Sequence, residues 1–111
     1  MIVALFAALL IQSNQPTFGE MEFLPAQVRD RYIHGALAAW LWANADLEHQ
    51  GLQPLYCTPL KLGLTTDQAD SIAQQFANEP RNAVRRDDDY AMILMLALKD
   101  TFPCPSPAAA P

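Results

Sequence analysis

The sequence predicts an all-α fold, a small bundle of about three to five helices stapled by one disulfide. Three observations predict it. After the first 13 residues only two Val and three Ile occur, against twelve Leu and fifteen Ala, a balance that favours helix over strand. No stretch alternates apolar and polar residues with a period of two. Three segments instead carry apolar residues at helical spacing and stop at Gly51, Pro80 and Pro103. A length of 111 residues allows one small domain.

The chain begins with eleven apolar residues, Met1 to Ile11, followed by Gln12, Ser13, Asn14 and Gln15. That run falls short of the roughly 20 residues that span a bilayer. It fits the apolar region of a secretory signal peptide, although no Lys or Arg precedes it. The expected organisation is a signal peptide over residues 1–13, a helical domain over 14–104 and a Pro/Ala-rich tail over 105–111. The expected location is periplasmic or secreted, with no stable membrane span. No charged residue precedes Glu20, so the whole net charge of −5 belongs to the mature chain. An acidic chain with seven Lys and Arg is a poor match for nucleic acid, which calls for clustered cations.

The first helix is expected from about Pro25 to Gln50, with Pro25 in the first turn and Gly51 just past the end. Val28, Tyr32, Gly35/Ala36, Ala39 and Ala43 form one stripe, widened by Ile33, Leu37, Trp40 and Leu41. Trp40 and Trp42 point about 200° apart, so both are core only if the helix is covered on two sides. Gly35, Ala36, Ala38 and Ala39 would let a second backbone approach closely.

Gly51 to Leu64, broken by Pro54 and Pro59, reads as a loop. The second helix starts at Thr65 or Thr66, where Thr65 and Gln68 have capping-box spacing. Ala69, Ile72, Ala73 and Phe76 give it one apolar face. Arg81 to Asp89 is a polar, two-signed linker in which Asp87 or Asp88 is placed to cap the third helix. That helix, about Asp89 to Thr101, is apolar nearly all round from Tyr90 to Leu98. It is either central in the bundle or offers one face to a partner or a homodimer.

Cys57 and Cys104 are the two cysteines, 47 positions apart. In an exported chain an even count points to a disulfide, worth about 3–4.5 kcal/mol on a loop-entropy basis. A metal site and a reactive thiol are the alternatives. Zinc calls for four Cys or His ligands at short spacing, and neither C-x-x-C nor H-x-x-x-H occurs. A nucleophilic Cys57 with His34 as base needs a free thiol. Asp30 and His34 lie four apart and could pair; His49 falls in the last turn. Asp87, Asp88 and Asp89 diverge by about 100° per step on a helix and lack calcium-loop spacing. There is no Gly-rich phosphate loop and no G-x-S-x-G. The expectation is a non-enzyme with no cofactor and no metal.

The carboxy half is more specific. It holds Leu55-Tyr56-Cys57-Thr58-Pro59, Leu64-Thr65, a helix with Gln68, Ile72, Phe76 and Pro80, and a terminal Phe102-Pro103-Cys104. Upstream stands Tyr32-Ile33-His34-Gly35. Over Val28 to Cys104 this resembles the Rap/Tai immunity-protein family. The spacer before Thr65 is longer than the family's C-x-P-x-G-x-T pattern. Many relatives also carry a second cysteine pair, near one of whose positions this chain has Arg29. The resemblance implies a small exported helical protein that protects a bacterium from peptidoglycan amidases delivered by type VI secretion. Its partner would be the cognate amidase effector, blocked by occlusion of the substrate groove. No motif assigns the contact residues. Arg81, Arg85, Arg86, Asp87 and Asp88 are the candidates, because that linker is charged, projecting and placed before the third helix. Other readings are an acid-stress periplasmic chaperone of the HdeA type, a small enzyme and a subunit of an envelope complex.

Overall fold

A computed structural model describes residues 15–59 and 63–105. The expected signal peptide, including a cut after Ser13, and the tail from Ser106 lie outside the described residues. The protein is all-α. The α-helices are α1 (Ala26–His49), α2 (Thr66–Asn78) and α3 (Tyr90–Thr101); one 3-10 helix, Gly19–Phe23, precedes α1 and a second, Pro80–Asp87, connects α2 to α3. Among the described residues there is no strand, only an isolated antiparallel bridge between Thr17 and Asp89.

The helix ends follow local chemistry. Pro25 stands at the N-cap of α1, one position before the expected first turn, and its carbonyl accepts from Arg29 N–H at 2.9 Å. At the other end Gly51 adopts φ +76°, a conformation glycine takes without steric cost. There Gly51 N–H bonds the Glu48 carbonyl and Leu52 N–H bonds the Leu47 carbonyl, satisfying two orphan acceptors. The expected capping box of α2 forms in both directions. Gln68 N–H donates to Thr65 Oγ1 at 3.1 Å, and Thr65 N–H donates to Gln68 Oε1 at 3.0 Å. Beyond its C-terminus, buried Asn82 turns back and donates to the Phe76 carbonyl at 2.8 Å.

The start of α3 differs from expectation. Neither Asp87 nor Asp88 caps it; Asp89 holds the N-cap position without a side-chain cap bond, and the first turn carries no carboxylate. The N-terminal segment takes that role. The Pro16 carbonyl accepts from Tyr90 N–H at 3.0 Å, and Phe18 N–H donates to the Asp88 carbonyl at 2.9 Å. An orphan helix donor is thus satisfied by distant backbone, leaving the three carboxylates to water and arginine.

The core sits around α3, the central helix, which packs most extensively on α2. Tyr90, Ile93, Leu94, Ala97 and Leu98 are fully enclosed, while Met92 faces outward. Ala69, Ala73, Phe76 and Ala77 of α2 and Ile33 of α1 close over them. Phe18 stacks on Tyr90 with ring centroids 5.9 Å apart, and Tyr32 meets the same ring edge-on at 6.1 Å. The α1 stripe is rotated from the expected one. Its inner line is Ile33, Leu37, Trp40 and Asn44, whereas Val28 and Leu41 are exposed. α1 is covered on one side by α2 and α3, so the tryptophans separate: Trp40 Nε1–H donates to the Ala91 carbonyl at 3.0 Å, and Trp42 faces out.

Candidate partner-binding site

Cys57 and Cys104 are joined in a disulfide, and among the described residues there is no free cysteine. The thiol-nucleophile and metal-thiolate alternatives therefore fall away. The bridge closes a corner that other bonds reinforce. Cys57 N–H donates to the Phe102 carbonyl at 2.8 Å. Asn44, buried on α1, holds the preceding residues from both sides: its Oδ1 accepts from Leu55 N–H at 2.8 Å and its Nδ2 donates to the Tyr56 carbonyl at 2.9 Å. Asn44 and Tyr56, with α1, thus hold the loop through backbone groups that would otherwise be orphaned.

The polar linker is a 3-10 helix, not a projecting loop. Its ends are pinned to opposite ends of α3. At one end Arg81 reaches Glu79 at 2.6 Å and both carboxylate oxygens of Asp100 at 3.1 Å. The hydrogen bonding to Glu79 first, and to Asp100 second, raises its guanidinium pKa further above an already high value. At the other end Arg86 lies 5.6 Å from the centre of the Phe18 ring, a cation–π distance, and Arg85 pairs with Asp88 at 3.4 Å. Asp87 is exposed. The five residues singled out from the sequence therefore share one solvent-facing ridge running alongside α3. Four of them also make contacts within the chain, which fixes where their charges sit.

A second feature was not singled out from the sequence. A groove of about 510 Å³ lies between α1 and the start of α2, lined by His34, Leu37, Leu41, Tyr56, Leu64 and Thr65 among others. Its mainly apolar wall includes His34, which among the described residues forms no ion pair with Asp30. No cluster of three metal-ligating side chains occurs among the described residues.

Burial dominates the remaining titrations. Tyr90 is fully enclosed and its hydroxyl donates to Asp70 Oδ1 at 2.7 Å; burial first, and that bond second, push its pKa far above the ordinary phenol value. Burial likewise raises Tyr32 and Tyr56. Tyr90 is sealed inside the core, whereas Tyr56 is buried at the wall of the groove.

The features together define a small all-α protein with one disulfide, a fixed two-signed ridge and an apolar groove. Among the described residues no helix is long and apolar enough to cross a membrane. No protein-family model, no curated protein and no solved structure matches the chain.

Proposed function

We propose that this chain is an exported protein-binding inhibitor of the Rap/Tai immunity type, which holds a peptidoglycan amidase effector and occludes its substrate groove. The observation that carries the reading is the disulfide corner. The segments on which the resemblance rests, Leu55-Tyr56-Cys57 and Phe102-Pro103-Cys104, are drawn together there by the bridge, the Cys57–Phe102 hydrogen bond and the Asn44 clamp. A disulfide is compatible with an oxidising compartment such as the periplasm.

The contact surface in this reading is the ridge of Arg81, Arg85, Arg86, Asp87 and Asp88. Its internal pairing holds side chains in place before binding, so less rotamer freedom is lost on contact. Charges of both signs set register and reject wrong partners, and the overall charge of −5 speeds encounter with a basic enzyme.

The test is direct. The purified chain should bind and inhibit a peptidoglycan amidase encoded beside its gene, and Arg85→Glu with Arg86→Glu should weaken binding at least tenfold without unfolding the protein. Absence of binding to any such amidase would count against the reading. Protection of client proteins from aggregation at low pH would favour the chaperone alternative.

A further inference from the structure

Arg85 and Arg86 are the one place in the sequence where two cations are adjacent. Both are exposed, as is Asp87 after them. They lie at the end of an eight-residue 3-10 helix, Pro80–Asp87. That is long for a conformation whose hydrogen bonds are poorly aligned and whose runs rarely pass about four residues. The bonds that hold this end are local and easily released. Asp88 N–H reaches back to the Arg85 carbonyl at 2.9 Å, and the Arg85–Asp88 ion pair is exposed, the kind that stabilises least. The other described Lys and Arg residues are held differently. Arg29 and Arg31 are within α1 and Lys99 within α3, while Arg81 is clasped by Glu79 and Asp100 just before buried Asn82.

We propose that the Arg86–Asp87 bond is a limited-proteolysis site for an endoprotease that reads paired arginines, and that the cut yields a two-piece molecule which stays folded. Water adds across the amide: the C–N bond breaks, Arg86 gains a carboxylate and Asp87 an amino group. An exposed, weakly bonded segment is where a protease finds the extended backbone that it needs. The pieces stay together because the bridge crosses the cut, with Cys57 before it and Cys104 after it. Anchors stand on both sides. Upstream, Arg81 holds Asp100 and Asn82 donates to the Phe76 carbonyl. Downstream, Phe18 N–H holds the Asp88 carbonyl, Pro16 holds Tyr90 N–H, and the Trp40 indole holds the Ala91 carbonyl. What the cut interrupts is the Arg85–Asp88 ion pair and the hydrogen bond between the same two residues. The site is defined by backbone, exposure and charge, so the proposal stands whatever the ridge binds.

Limited digestion of the full, oxidised chain with a serine endoprotease specific for paired basic residues tests it, with a peptide of residues 81–91 as the positive control. The expected product is heavier by one water, runs as one band without reductant and as two with it, and has a smaller piece that begins at Asp87. Its circular dichroism should stay that of the native protein. Arg85→Gln and Arg86→Gln should each slow cleavage at least tenfold. Asn44→Ala, which lowers global stability, should leave the cleavage rate within about twofold, because the opening is local. A folded chain left intact while the peptide is cut overturns the proposal, whatever part of the chain shields the bond. So does a rate that rises in Asn44→Ala in proportion to its lost stability, which would mean that the bond opens only in global unfolding. Cleavage indifferent to both arginine substitutions, or a nicked product that loses its native circular dichroism or separates without reductant, overturns it as well.

Discussion

Replacing Asn44 by Ala tests the disulfide corner at its least redundant point. The side chain makes two buried hydrogen bonds, from Leu55 N–H at 2.8 Å and to the Tyr56 carbonyl at 2.9 Å. Alanine leaves both backbone groups without a partner where water has little access. An unsatisfied buried polar group costs about 1–3 kcal/mol, and partial solvation of the Leu55 side reduces the total, so the expected loss is about 2–4 kcal/mol. In a domain of this size that lowers Tm by about 10–20 °C. Asn44→Asp keeps the acceptor for Leu55 but turns a carboxylate towards the Tyr56 carbonyl, so it should fare no better than alanine. The measurement is urea unfolding of oxidised protein, followed by tryptophan fluorescence. Because Asn44 and the bridge restrain the same loop, the cost of Asn44→Ala should change when Cys57 and Cys104 are both serine, departing from additivity by more than about 0.5 kcal/mol. A loss below about 0.5 kcal/mol in the oxidised protein would refute the reasoning, because it would mean water replaces both bonds at no cost.

Cys57→Ser with Cys104→Ser should lower stability by about 4 kcal/mol, the loop-entropy value for 47 residues, and mass spectrometry without reductant should show native protein two hydrogens lighter than its reduced form. Tyr90 keeps its proton in the folded state, whereas in the unfolded chain the phenol ionises near pH 10.0. Its folded pKa is raised, so its contribution is fully present below pH 10 and is lost as the pH rises beyond it; Tyr90→Phe should flatten that alkaline decline in an unfolding series. Thr65→Ala removes one half of the capping box and should cost about 1 kcal/mol by urea unfolding.

The helices were legible because each is written in local terms. The α2 start needed only Thr65 and Gln68, and the α1 end only Gly51, since a cap is settled within a few residues of sequence. Which side of α1 faces inward was not legible. Val28 and Ile33 are equally apolar, and the choice depends on where α2 and α3 dock. The line Ile33, Leu37, Trp40, Asn44 carried a hint: a polar residue ending an apolar row at helical spacing marks a buried side chain with work to do. Likewise Thr17 and Glu20 have capping-box spacing and exchange two bonds of 3.2 Å, a signal that the sequence carries just past its apolar leader. The start of α3 departs from its local pattern for a different reason. Three adjacent aspartates are an obvious local cap, but the backbone of Pro16, 74 positions upstream, supplies the acceptor. The ridge residues were found by charge alone; that they lie along α3 in fixed pairs follows from Asn82, Asp100 and Phe18, which no local pattern connects to them.

The tie between Pro16 and Tyr90 has a consequence for the order in which the molecule is made. The N-terminal segment, the Trp40 indole and the Cys57 thiol all find their partners between Asp88 and Cys104. A chain appearing from its amino end therefore spends most of its synthesis without the helix that its earlier parts are shaped to surround. α1 and α2 can wind as they appear, but neither has a core to close on until the last dozen or so residues of the folded body arrive. Truncation just short of Thr101 should then give a chain that fails to fold as a whole, and the native molecule should form in one late, cooperative event.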